Sequence, residues 1–136
     1  MEGARVGVIT NQTGVDTNCR RTIDILMDKK FNVTAIYVPE HGLEGIVQAA
    51  HTVENSSDKK TGLPVISLYK HGSGHIAADA FEKVDVLFFD MQDVGMRHYT
   101  YISTLYTVMQ AAARDGKKMI VCDRPNPLGN IMEGPL

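Results

Sequence analysis

Glu40 and His41 stand together after Pro39, and two further acidic residues, Asp90 and Asp93, flank Met91 and Gln92. Carboxyl groups set this way serve general acid–base work. Glycoside hydrolysis in particular asks for two of them, one protonated to assist the leaving oxygen and one ionised as nucleophile or base. Glu40 is the candidate acid, because partial burial at the end of a strand would raise its pKa toward a useful value. His41 is its candidate proton partner or orienter, a hydrogen-bonded loop histidine being the plainer alternative. Asp90 and Asp93 are the candidates for the second role. Amides, guanidiniums and rings surround these carboxyls: Asn11, Gln12 and Thr13, then Gln92, Arg97, Tyr99 and Tyr101, then Asp123, Arg124 and Asn126. Amides and charges bond sugar hydroxyls, while rings stack on the apolar face of a sugar. Turn formation and helix capping would account equally well for Asn11, Thr13 and Asn126. Arg97 either binds a ligand carboxylate or pairs with Asp93. Tyr99 and Tyr101 point to opposite faces if extended and diverge by roughly 200° if helical, so at most one of them lines a cleft.

The elements that must position these residues follow from hydrophobic periodicity. Compact apolar runs at 5–10, 32–38, 64–69, 84–90 and 117–122 predict five strands. Apolar residues at helical spacing predict helices over about 18–29 and 100–114 and a shorter one over 76–83. Ile102, Leu105, Val108 and Met109 form the expected core stripe of the second of these, and residues 42–62 read as a long polar loop. Strands alternating with helices imply an α/β fold: a Rossmann-like, open, mainly parallel sheet of about five strands with helices on both faces. Ligands of such sheets bind beyond the carboxyl ends of the strands. The chemistry-bearing residues all follow predicted strand ends.

The 136 residues suit one domain, 1–136, with one core. A formal net charge of −2 offers no attraction to nucleic acid or anionic membranes. No apolar stretch approaches the roughly 20 residues of a membrane span. Cys19 and Cys122 lie too far apart for a metal or redox motif, and Cys122 reads as a small buried residue. Gly72, Gly74 and Ala77 match a dinucleotide fingerprint, but two residues separate the strand from the first glycine. His71 and His75 are four apart without helical geometry, so no metal site is expected. No organic cofactor is implied.

The order VGVITNQTGVD (6–16), VPEHGLEG (38–45), TGLPVISLY (61–69), FDMQDVGMRHYTYISTL (89–105), DRPNPLG (123–129) and EGP (133–135) resembles the DUF1343, or YbbC-like, family. Its characterised members are exo-acting β-N-acetylmuramidases of glycoside hydrolase family 171. The resemblance spans nearly the whole chain. It implies removal of N-acetylmuramic acid from the non-reducing ends of peptidoglycan fragments, in a cleft of the Rossmann-like domain, within a bacterial cell envelope. The family's Pro-Glu-His-Gly glutamate, its expected acid, falls on Glu40. Its Gln-Asp-Val-Gly and Asp-Arg-Pro-Asn-Pro segments fall on residues 92–95 and 123–127. His98 lies where the family often has Phe, so packing is its expected role. Glu44 stands where the family commonly has Arg and Ile46 where a polar residue is usual, differences that bear on specificity. Family members are more than twice this length and carry a further C-terminal domain. A shorter piece would expose apolar surface and favour self-association or sugar binding without turnover.

Overall fold

Strands with apolar side chains on both faces must be covered twice, and the described residues do this with one sheet between two helices. The computed structural model describes residues 3–46, 56–69 and 76–134. Its sheet contains β1 (Arg5–Thr10), β2 (Asn32–Val38), β3 (Ser56–Ser57), β4 (Pro64–Ser67), β5 (Val86–Asp90) and β6 (Lys118–Val121), in the order β3-β4-β2-β1-β5-β6. All neighbours pair in parallel except β3, which runs antiparallel to β4. Helix α1 (Thr22–Asp28) follows β1, and α2 (Tyr101–Arg114) precedes β6.

Successive residues of the central strands enter opposite clusters, as the period of two requires. Val6, Val8, Ile36, Val38, Val86 and Phe88 face one way and pack with Ile23 and Leu26 of α1. Ile9, Tyr37, Leu87 and Phe89 face the other way, against Val108, Ala111 and Ala112 of α2. The expected α/β class, mainly parallel and covered on both faces, is the observed one. The added strand is β3, within the stretch 42–62 whose composition predicts a loop. Its two exposed serines give no apolar signal.

Two expected elements differ. Residues 76–83 form successive turns instead of a helix, with Ala80 N–H bonding the Ala77 carbonyl and Glu82 N–H the Asp79 carbonyl. The Ala80 and Ala77 carbonyls also accept from the Tyr37 hydroxyl at 2.8 Å and the Arg114 guanidinium at 3.3 Å. The buried anchors Ile76, Phe81 and Val84 explain why the spacing looked helical. In α2 the period is right but the buried face is Tyr101, Thr104, Val108, Ala111 and Ala112, so Ile102 and Met109 are more than half exposed. Small alanines let the helix sit close to the sheet. The helix stops where Gly116 takes φ +64°, and its last carbonyls are met by Gly116 N–H to Ala113 and Lys117 N–H to Ala112.

Among the described residues no helix is long and apolar enough to cross a membrane. The residues 71–75 of the glycine-rich and paired-histidine readings lie outside the described residues.

Candidate active site

From β1 the chain steps outward through β2 to β4, then returns to β5 and β6 on the other side of β1. The strand order therefore reverses between β1 and β5. Beyond the carboxyl ends of that pair a crevice opens, and ligands of such sheets settle there. The loops after β1, β2, β5 and β6 all reach this edge.

On the β5–β6 side the polar residues are tied to one another. Asp90 is 2% exposed and takes a two-pronged ion pair from Arg124, Nε to Oδ1 at 2.6 Å and Nη2 to Oδ2 at 3.0 Å. The Thr22 hydroxyl also donates to Asp90, and Arg124 reaches the Val15 carbonyl at 3.0 Å. Asp90 was a candidate for the second catalytic carboxyl, and Arg124 for substrate contact. With donors on both oxygens and almost no exposure, Asp90 ties the β6 loop to the strand end and to the start of α1. Gln92 adds another tie, its Nε2 donating to the Asp93 carbonyl at 2.6 Å and the Pro125 carbonyl at 2.9 Å.

Turn chemistry accounts for several of the remaining candidates. Asn11 Oδ1 accepts from Thr13 N–H and the Thr13 hydroxyl, which in turn accepts from Gln92 N–H at 2.9 Å. Asn126 uses both ends of its amide within its own turn, on Leu128 and Gly129. Asp93 Oδ1 accepts from Gly95 N–H at 2.7 Å, while its Oδ2 is buried and has no hydrogen-bond partner.

The β2 side is more open. Glu40, with a side chain about 39% exposed, accepts one hydrogen bond, from the Thr100 hydroxyl at 2.6 Å, and His41 Nε2 lies 3.8 Å from the same oxygen. Thr100 precedes the first turn of α2, so the helix sets where this donor sits. Gly45, at φ +69°, brings the loop backbone against Gln12. A Cβ there would lie 2.5 Å from the Gln12 amide. The exposed Glu44 and Ile46 flank that contact.

Between the two sides stands Tyr101, 9% exposed, whose hydroxyl pKa is pushed up by burial, with the negative charge of Glu40 acting in the same direction. Its neighbour Tyr99 is 42% exposed and meets it edge to face at 6.3 Å. Thus Tyr101 is nearly buried and Tyr99 lies at the surface. His98 is exposed and tilts against Tyr99 at 5.7 Å. Its packing is on the surface. Arg97 is exposed and makes no ion pair with Asp93 or any other described residue.

Beneath this edge, α2 and the β5 and β6 loops enclose a cavity of about 230 Å³. Its lining includes Asp93, Tyr101, Leu105, Val121, Asp123 and Asn126. Burial pushes the half-buried Cys122 thiol up, and the charge of Asp90 acts in the same direction. Among the described residues no three His, Cys, Asp or Glu side chains gather as a metal-ligand set.

Sequence reading missed Thr100, Thr22 and Tyr69. Thr100 lies within the segment whose spacing predicts a helix, and its partner Glu40 is 60 residues away, so no local signal marks the contact. Tyr69 bonds Thr104 at 2.7 Å and feels the charge of Glu40, contacts that only the fold reveals.

Residues 6–136 match the family described as "Exo-beta-N-acetylmuramidase NamZ, N-terminal". The peptidoglycan β-N-acetylmuramidase NamZ of Bacillus subtilis (strain 168) is 44% identical over 138 residues, covering all of this chain and 33% of that protein. The crystal structure of a DUF1343 family protein from Bacteroides fragilis NCTC 9343 superposes with a TM-score of 0.82 at 47% identity, covering 96% of this chain and 32% of that one. A second DUF1343 structure from the same strain gives 0.75 at 37% identity, covering 98% and 33%. The chain spans about a third of the length of each relative. By family match, identity and fold together, it belongs to the NamZ N-terminal, or DUF1343, family.

Proposed function

We propose that this chain carries the general acid of an exo-acting β-N-acetylmuramidase, which releases N-acetylmuramic acid from the non-reducing ends of peptidoglycan fragments. The observation that carries the reading is the contrast between Glu40 and Asp90. Glu40 lies at the carboxyl edge beside the crevice, reachable by a ligand and held by a single donor. The carboxyl of Asp90 is buried and has donors on both oxygens.

In this role Glu40 passes its proton to the glycosidic oxygen as the bond to the sugar breaks. Thr100 orients the carboxyl, and His41, whose Nε2 lies 3.8 Å away, becomes its proton partner by a small approach on ligand binding. Arg97, exposed and unpaired, is the cation suited to the lactyl carboxylate of a muramyl sugar. Tyr99 offers an exposed ring for stacking. Substrate contacts for Gln12, Gln92 and Asp123 belong to the same proposal.

The longest product of the gene is assayed for release of N-acetylmuramic acid from a chromogenic β-N-acetylmuramide. Glu40→Gln, which still accepts from Thr100, is expected to lose about 10²- to 10⁴-fold in rate. Undiminished release by the variant removes Glu40 from the role. No release by the wild type, with other β-glycosides also untouched, overturns the hydrolase reading in favour of sugar binding.

A further inference from the structure

The path from β4 to Glu40 closes on itself. Leu68 N–H donates to the Val38 carbonyl at 3.0 Å, which fastens the chain after β4 to the last residue of β2, shortly before Glu40. The next residue, Tyr69, puts its hydroxyl 2.7 Å from that of Thr104 on α2. Thr104 donates to the Thr100 carbonyl twice, from its hydroxyl at 3.1 Å and from its N–H at 2.8 Å. The Thr100 hydroxyl then donates to Glu40 at 2.6 Å. A circuit of hydrogen bonds and short chain segments thus ties the end of β2 to the start of α2, and the carboxyl lies where the two meet.

Counting protons gives these bonds a direction. A threonine hydroxyl has one proton, and Thr104 uses its own on the Thr100 carbonyl, so it accepts from Tyr69. Tyr69 suits that role. Burial pushes its hydroxyl pKa up and the charge of Glu40 acts in the same direction, so the phenol stays protonated and remains a donor.

Thr104 is an unexpected residue for its position. It is fully buried on the face of α2 that otherwise turns Tyr101, Val108, Ala111 and Ala112 toward the core. Valine has the same shape and brings no hydroxyl that must be satisfied, whereas a buried hydroxyl is tolerated only when bonded. The bonds of this hydroxyl go to Tyr69 and Thr100, both members of the circuit. We infer that Tyr69 and Thr104 are positioning residues for Glu40: by holding the first turn of α2 against the end of β2, they keep the Thr100 hydroxyl on the carboxyl. The inference rests on the reading of Glu40 as general acid. In this role neither residue touches the substrate, and each acts through Thr100.

Turnover of the chromogenic β-N-acetylmuramide by the longest gene product tests it. Tyr69→Phe is expected to lower kcat about threefold with KM unchanged, as is Thr104→Val, and Thr104→Ser should restore the wild-type rate. In a Thr100→Val background, Tyr69→Phe should change kcat by less than about 1.5-fold, because the residue through which it acts has gone. Tyr37→Phe is the control. It removes a tyrosine hydroxyl of the same core that bonds the Ala80 carbonyl at 2.8 Å, outside the circuit, and should leave kcat at the wild-type level. A wild-type kcat in Tyr69→Phe, whatever its KM, overturns the inference. So does a full Tyr69→Phe effect in the absence of the Thr100 hydroxyl, or an equal loss in Tyr37→Phe, since either marks a general loosening of the core. Failure of the Glu40 reading shows elsewhere: Glu40→Gln keeps full turnover, or the wild type has none, and both readings then fall together.

Discussion

Among the described residues three carboxylates stand within reach of hydroxyl donors, yet they are treated in two ways. Asp90 and Asp58 are each closed by an arginine fork and a threonine hydroxyl. Arg124 and Thr22 serve Asp90, while Arg21 at 2.8 and 3.0 Å and Thr61 at 2.6 Å serve Asp58. Both are under a tenth exposed. Glu40 receives a threonine but no arginine, and its carboxyl remains reachable by solvent. A buried carboxylate held by a bidentate cation fixes loops in place, whereas one held by a single hydroxyl can still exchange a proton with a ligand. The comparison separates the frame of the edge from the group that the frame presents.

The largest effect should come from breaking the frame. Arg124→Ala strands the buried Asp90 charge and frees the β6 loop from Val15, at an expected cost of about 3–5 kcal/mol in stability. Urea unfolding of the two proteins measures this. A loss below about 1 kcal/mol would place Asp90 with Glu40 instead of with Asp58 and collapse the distinction.

A smaller and pH-dependent effect belongs to Asp58. Hydrogen bonds from Arg21 and Thr61 hold its carboxyl down to about 2, against an ordinary value of 3.8. A carboxyl lowered in the folded state binds its proton first in the unfolded state, so the stability it contributes is complete above about pH 4. That contribution is lost as pH falls from about 4 toward 2. Allowing for the partial exposure of Arg21, the expected loss is about 1–2 kcal/mol. Thermal unfolding across this window should show that loss in the wild type and not in Asp58→Asn. An identical acid slope in both proteins would show that the Arg21–Asp58 pair contributes nothing to the frame.

How much of this was legible beforehand depends on whether the signal was local. The five parallel strands could be read because burial on both faces leaves runs such as VLFFD at 86–90 nearly unbroken. Carboxyl-edge placement of Glu40, Asp90 and Asp93 followed from the fold class alone. That Asp90 and Arg124 neutralise each other could not be read, because 34 residues separate them and only the β5–β6 crossover brings them together. The turns at 76–83 were misread for a related reason. Their carbonyls are taken by Tyr37 and Arg114 from distant segments, while the local spacing of Ile76, Phe81 and Val84 imitates a helix. The expected α2 stripe holds at Val108 and Leu105 and not at Ile102 and Met109, because the close approach to the sheet uses the small Ala111 and Ala112.

The smallest effect is the sharpest test of Glu40. Thr100 is exposed and makes no capping hydrogen bond to α2, so Thr100→Val should change stability by no more than about 0.5 kcal/mol. It removes the one hydrogen bond that orients the Glu40 carboxyl. Release of N-acetylmuramic acid by the longest gene product should then fall about three- to tenfold, in kcat and not in KM, and Thr100→Ser should restore it. A positioning role requires this split, because the substrate still binds while the acid points less often at the leaving oxygen. If Thr100→Val destabilised the fold as Arg124→Ala does, or if serine failed to rescue turnover, the Thr100–Glu40 contact would belong to the frame. The proton donor would then have to be sought elsewhere on the edge.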